Sequence, residues 1–115
     1  MCLTRGRRPP RLVYMQVVNS EIVSAIREKR LIEFVYKAGR LRIVEPHDYG
    51  VRGGVEKILA YQISGESQSG TPHGWKWFDV ESMQQLKVLE RQFPGTRADR
   101  SQHHFDWDTL FIRVQ

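Results

Sequence analysis

Residues 31–37 (LIEFVYK) and 41–45 (LRIVE), joined through Ala38 and Gly39, decide the fold of this chain. In the first run every second residue is large and apolar, and β-branched and aromatic side chains dominate, as in half-buried β-strands. Two such runs separated by a short link predict an antiparallel hairpin. Pro46 follows the second run and has no N–H for a strand ladder, so we expect a bend, a bulge or a sheet edge there.

Upstream of the hairpin, the pattern predicts one short helix at residues 20–29. Asn19 and Ser20 are good N-caps, Glu21 sits in the first turn, and apolar side chains follow near helical spacing. The cations that suit the negative end of the helix dipole fall in the last turn: Arg27, Lys29 and Arg30.

Downstream of the hairpin, the sequence predicts three further strands separated by turns. Gly50, Gly53 and Gly54 bracket the first turn. The expected strands are 57–62, 74–79 and 85–89, with a loop at 64–73 and a helical turn at 80–83. One helix followed by five short strands predicts a mainly β fold with a short N-terminal helix, a small SH3-like or Sm-like five-stranded barrel.

The chain divides into three predicted regions. Residues 1–13 form a disordered basic arm, because they combine four arginines with Pro9 and Pro10 and have no apolar periodicity. Residues 14–93 form the barrel domain. Residues 94–115 form a C-terminal extension that packs on the barrel or on a partner, because four of its side chains are too apolar to leave in water: Phe105, Trp107, Leu110 and Phe111.

Charge, cysteine content and hydropathy limit the classes of protein to consider. The net charge is +5, but the four arginines of the arm account for most of it, so the folded part is nearly neutral. The arm could bind phosphates through charge alone, or it could have no role. Cys2 is the single cysteine, so an internal disulfide is excluded. No apolar run is long enough to span a bilayer, and the N-terminus lacks a signal-peptide pattern, so we expect a cytoplasmic protein.

The order of short motifs resembles the WYL domain, over roughly residues 20–93. The resemblance rests on five motifs: 25–28 (AIRE), 32–36 (IEFVY), 42–50 (RIVEPHDYG), 59–62 (LAYQ) and 77–80 (WFDV). The family is similar to Sm-like SH3 barrels, is mostly bacterial, and usually lies behind a DNA-binding winged helix in transcriptional regulators. Its barrel is thought to sense a ligand, often a nucleotide or nucleic acid.

The resemblance implies a ligand site and also shows departures from the family pattern. Arg42 and His47 match family positions on the second strand, Tyr61 matches the tyrosine of the third, and Lys76 stands where another basic residue is expected. The Trp-Tyr-Leu triplet falls on residues 56–58 (EKI), and the arginine expected just before Met83 is a serine. The region before Val13 is expected to be too short for a winged helix.

Arg40, Arg42, His47 and Tyr61 also lie on or beside adjacent predicted strands. Together they could hold a phosphate or a carboxylate, with the Tyr61 ring stacking on a base. The alternative is structural: Arg42 would pair with Glu45 or Glu33, and His47 would be a satisfied hydrogen-bond donor.

Two other groups are weaker candidates. Trp75, Trp77 and Phe78 could form a base-stacking platform, but aromatics in a small barrel are more often core, and we expect Phe78 to be buried. A second group, rich in histidine and aspartate, could in principle hold a metal, although adjacent histidines in a polar stretch rarely form a preformed cage: His103, His104, Asp106 and Asp108. We expect no metal site and no cofactor.

Catalysis finds no support in the sequence. No serine lies in a strand-turn-helix elbow, and residues 50–54 lack the lysine of a phosphate loop. The sequence therefore predicts a regulatory module that binds a ligand or nucleic acid, with a nucleotide or a single-stranded nucleic acid as ligand. The alternative is a protein interaction module that forms a homodimer through the apolar C-terminal side chains.

Overall fold

The computed structural model describes residues 18–65, 73–98 and 107–115. These residues form one helix and six strands, with a 3₁₀ turn at Val80–Ser82. The elements are α1 (Ser20–Glu28), β1 (Arg30–Tyr36), β2 (Leu41–Arg52), β3 (Val55–Gly65), β4 (Gly74–Asp79), β5 (Met83–Gln92) and β6 (Thr109–Arg113). The predicted arm at 1–13 lies outside the described residues. In the part of the chain that the structure describes, no helix is long and apolar enough to cross a membrane.

The helix begins and ends as its capping residues dictate. The Asn19 side chain accepts hydrogen bonds from the backbone N–H groups of Glu21 and Ile22, at 2.9 and 3.1 Å. Lys29 ends the helix in the left-handed conformation, with φ 58°. The buried face carries Ile22, Ala25 and Ile26, which close one end of the sheet.

The six strands form one antiparallel sheet in the order β4-β3-β2-β1-β5, with β6 paired to β2 beside this path. β1 pairs with residues 41–44 of β2, and β6 pairs with residues 48–51 along the same strand. The mainly β fold with a short N-terminal helix is therefore confirmed, in a small barrel-like sheet. All five predicted strands are present, and β6 is added to them.

Two predicted boundaries on the second strand are wrong. β2 does not end at Glu45 but continues through Pro46 to Arg52. The bulge expected near Pro46 is present, as a register shift between Pro46 and Asp48. Gly50 is a mid-strand residue rather than part of a turn. The turn to β3 consists of Gly53 and Gly54, whose φ angles of 60° and 77° are accessible to glycine at low cost.

The two faces of the sheet are distinguished by register. The inner face faces the core and carries Ile32, Phe34, Val44, Ile58 and Phe78, all buried. The outer face carries Glu45 and Tyr61, which lie opposite each other on β2 and β3. The predicted burial of Phe78 is confirmed: its ring packs edge-on against Phe34 and Tyr36, with centroid distances of 5.0 and 4.9 Å.

The C-terminal segment packs on the sheet of its own chain. The Trp107 ring lies 5.3 Å from Trp77, and Phe111 packs against Tyr49 at 5.0 Å. Leu110 is 37% exposed. Phe105 lies outside the described residues, and the predicted homodimer through these four side chains stays a prediction.

Tyr49 ties the helix to the sheet through its hydroxyl. The ring is fully buried, and the hydroxyl accepts a hydrogen bond from Asn19 N–H at 2.8 Å while it donates to the Glu56 carboxylate. Burial, followed by the Glu56 hydrogen bond, raises the pKa of this phenol well above its ordinary value. The hydroxyl therefore remains a donor throughout the neutral range.

Tyr49→Phe should lower the free energy of unfolding by about 1 to 3 kcal/mol, because it leaves a partly buried N–H and a carboxylate without their common partner. Urea denaturation measures the change. Tyr61→Phe is the matched control, since no hydrogen bond to its hydroxyl is formed in the described residues, and it should shift stability by less than about 0.5 kcal/mol. Equal losses in the two variants would contradict a linking role for Tyr49.

Candidate anion-binding site

Arg42 is a cation on the inner face of the barrel. It lies opposite Phe34 of β1, and the residue is 6% exposed. The guanidinium carbon lies 5.2 Å from the Tyr36 ring centroid and 5.7 Å from that of Phe78. Its Nε atom is buried without a hydrogen-bond partner, and no carboxylate in the described ranges forms an ion pair with it. A buried, incompletely satisfied guanidinium favours an anion.

Lys76 brings a second positive charge to the same face. It lies on β4, opposite Ala60 of β3 and two residues before the buried Phe78. Burial lowers the pKa of its ammonium, and the nearby positive charge of Arg42 lowers it further. A bound anion would offset the repulsion between these two cations. The structure therefore brings Arg42 and Lys76 close to each other.

Two further cations lie at the turn between β1 and β2, next to this pair. The Lys37 ammonium lies 5.4 Å from the Tyr36 ring centroid, and Arg40 is exposed two residues before Arg42. The Tyr36 hydroxyl accepts a hydrogen bond from Asp79 N–H at 2.9 Å, which fixes the ring. We call this end of the barrel the mouth, defined by Lys37, Arg40, Arg42 and Lys76. The sequence interpretation missed Lys37.

His47 lies on the outer face of the sheet, beneath the Arg97 segment, and is fully buried. Its Nδ1 atom lies 2.9 Å from the Glu45 carbonyl oxygen, and its Nε2 atom accepts a hydrogen bond from Arg97 N–H at 3.3 Å. The imidazole packs against the Trp75 and Phe93 rings. This geometry is that of a neutral ring with a proton on Nδ1, and both nitrogens are engaged within the chain.

Tyr61 lies on the outer face, where Arg97 covers its ring. The Arg97 guanidinium carbon is 3.6 Å from the ring centroid. The same guanidinium donates to both carboxylate oxygens of Glu45, at 2.7 and 3.2 Å. Glu45 thus pairs with Arg97 instead of Arg42. The polar composition of the tail gave no signal for Arg97.

The predicted site residues therefore fall into two groups on opposite faces of the sheet. Arg42 and Lys76 share the inner face, with Arg40 near them, whereas His47 and Tyr61 contact the Arg97 segment on the outer face. Regular pairing of residues 42–44 with β1 puts Arg42 inward and Glu45 outward. The mouth therefore combines an exposed cation, Arg40, with the buried Arg42.

The other sequence candidates are placed as follows. Trp75 and Trp77 are half-buried on the outer face, where Trp75 packs against Tyr61 and Trp77 against Trp107 and Arg52. The Asp108 carboxylate accepts a hydrogen bond from Gly54 N–H. His103, His104 and Asp106 lie outside the described residues. Within the described ranges, no group of three potential ligands could hold a metal ion.

Comparison with known proteins relates the fold to one solved structure. No family model and no curated protein matches the sequence. The chain is similar to proteasome accessory factor B/C (PafBC) of Arthrobacter aurescens, with a TM-score of 0.53 and 25% sequence identity. The match covers 72% of this chain and 13% of that one, so it concerns a small part of PafBC. PafBC contains a WYL domain, so the match supports a WYL-related fold for the matched part of the chain.

Proposed function

We propose that this domain is a regulatory module that binds a phosphate-bearing ligand, a nucleotide or a single-stranded nucleic acid, at the mouth of its barrel. The observation that carries the proposal is Arg42, a guanidinium 6% exposed whose Nε has no hydrogen-bond partner. Such a group is costly in a folded protein unless an anion satisfies it. The WYL-related fold supports a ligand-sensing role.

The surroundings of Arg42 match the chemistry of phosphate. Arginine offers a planar fork of N–H donors for phosphate oxygens, and Lys76 adds a point charge beside it. The edge-on contacts among Phe34, Tyr36 and Phe78 hold the rings that flank the guanidinium. The donors are therefore positioned before a ligand arrives, which lowers the cost of binding.

The proposal is tested with Arg42→Met, which keeps an apolar stem between the rings and removes the charge. Binding of a fluorescein-labelled single-stranded oligonucleotide and of nucleoside triphosphates is measured by anisotropy and calorimetry. We expect a loss of about 10- to 100-fold in affinity, the equivalent of losing a charge-assisted hydrogen bond. Arg91→Met, at an exposed position of β5, is the matched control for net charge and should change affinity by less than about threefold.

Stability separates binding from a structural role of Arg42. If Arg42 serves the fold, Arg42→Met lowers the unfolding free energy by several kcal/mol, whereas a binding role predicts unchanged or higher stability, because a buried unsatisfied cation has been removed. Unchanged affinity in Arg42→Met, or a loss equal to that of Arg91→Met, would overturn the proposal.

A further inference from the structure

The turn between β1 and β2 is strained. Lys37 and Ala38 have φ angles of 53° and 58°, in the left-handed region that non-glycine residues rarely adopt. The Gly39 N–H donates to the Tyr36 carbonyl at 2.9 Å, which closes a turn of the kind that needs positive φ at both central residues. Asn-Gly or Gly-Gly is the usual sequence for such a turn, and Lys-Ala is not.

The turn between β2 and β3 provides an internal comparison. There the same left-handed angles are adopted by Gly53 and Gly54, and a Cβ atom at either would meet no atom within 4 Å. That turn, which only reverses the direction of the chain, is built from glycines. At the mouth it instead places a side chain on a costly backbone conformation, which is a feature of functional sites.

The side chain held in this way belongs to the cationic cluster. The Lys37 ammonium and the Arg42 guanidinium lie 5.4 and 5.2 Å from the centroid of the Tyr36 ring. The turn is anchored on its other side, because Lys37 N–H donates to the Ser82 carbonyl at 3.0 Å. No ion pair of Lys37 with a carboxylate occurs in the described ranges. Lys37 is exposed whereas Arg42 is buried, so the two cations form an outer and an inner tier.

We propose that the Lys37–Ala38 turn is a specificity element of this site, which selects ligands that carry a second anionic group beyond the one bound by Arg42. The inference rests on the proposed function. Arg42 binds the first anionic group inside the mouth, and Lys37 contacts the second at the rim. Ligands with linked phosphates satisfy both tiers, and a lone phosphate satisfies only the inner one.

Calorimetric titration of the full chain with inorganic phosphate and with pyrophosphate tests this selection. The wild-type chain should bind pyrophosphate about tenfold more tightly than phosphate, because pyrophosphate makes one more charge-assisted contact. Lys37→Gln should remove that preference, because it should weaken pyrophosphate binding by more than it weakens phosphate binding. Lys87→Gln, an exposed lysine on β5, is the matched control and should keep the preference.

The outcomes separate this inference from the proposed function. If Arg42→Met loses both ligands while Lys37→Gln keeps the pyrophosphate preference, only the specificity role of Lys37 is overturned. If the wild-type chain binds neither anion, both proposals are overturned.

The strain is tested by the double variant Lys37→Asn/Ala38→Gly, which gives the turn its preferred sequence. It should raise the melting temperature by roughly 4 °C and abolish the pyrophosphate preference. Gly53→Ala, in the comparison turn, should lower the melting temperature by a similar amount. An unchanged or lower melting temperature of the double variant would overturn the inference that the Lys37–Ala38 turn lowers stability in order to place Lys37 at the site.

Discussion

Arg113→Met should lower the free energy of unfolding by about 3 kcal/mol or more, the range expected when a buried ion pair loses one partner. The Asp48 side chain is fully buried, and its two oxygens accept hydrogen bonds from Arg113 Nε and Nη2 at 3.1 and 3.2 Å. Trp107 Nε1 donates to the same carboxylate at 3.2 Å. Removing the guanidinium takes from this buried carboxylate the cation that donates to both of its oxygens.

Asp48→Asn is the informative partner experiment. The amide keeps an oxygen for Trp107 and carries no charge, while Arg113, whose side chain is 32% exposed, can turn toward water. We expect a loss of only about 1 to 2 kcal/mol. The double variant Arg113→Met/Asp48→Asn should be more stable than Arg113→Met alone, as judged by urea denaturation. Equal losses in the two single variants would show that buried charge is not the cause.

The local elements of this fold could be predicted because their signals are local. Asn19 caps α1, alternation specifies β1, and Phe78 follows from the pattern of β4. The bulge expected near Pro46 is present, but the predicted end of the strand at Glu45 is wrong, because the effect of a proline on a strand depends on the neighbouring strands. Pro46 falls between Val44, the last β2 residue paired with β1, and Asp48, the first paired with β6. On the side of β2 that faces β1 and β6, no strand is therefore paired with Pro46, and its missing N–H costs no ladder hydrogen bond there.

The candidate site could be predicted only in part. Arg42 was selected by the resemblance to the WYL domain and by its place on the second predicted strand, and its inward position follows from the regular pairing with β1. The side of the sheet occupied by His47 depends on the register shift near Pro46, which no local pattern specifies. The Arg97 contact with Tyr61 joins residues 36 positions apart through an irregular segment, and such a contact has no periodic signature.

Gly50→Ala should displace β6 from the sheet and lower the free energy of unfolding by about 3 kcal/mol, at the upper end of overpacking effects. A Cβ atom at this position would lie 2.1 Å from the Thr109 carbonyl oxygen, 2.9 Å from the Trp107 ring and 3.0 Å from Leu110 Cα. Two of these atoms are backbone, so no rotamer change can relieve the overlap. The register of β2 and β6 shifts at this point, which is the close approach that glycine permits.

Hydrogen exchange and tryptophan fluorescence distinguish this effect from ordinary turn strain. In Gly50→Ala, the amides of residues 109–114 should lose protection and Trp107 emission should shift to the red, whereas Gly53→Ala should change neither. Because β6 carries Arg113, its displacement also takes the cation away from Asp48. The double variant Gly50→Ala/Arg113→Met should therefore lose less unfolding free energy than the sum of the two single losses, since each single variant already loses the same ion pair. Full additivity would mean that β6 stays paired with β2 and that the strand accommodates the methyl group by bending elsewhere.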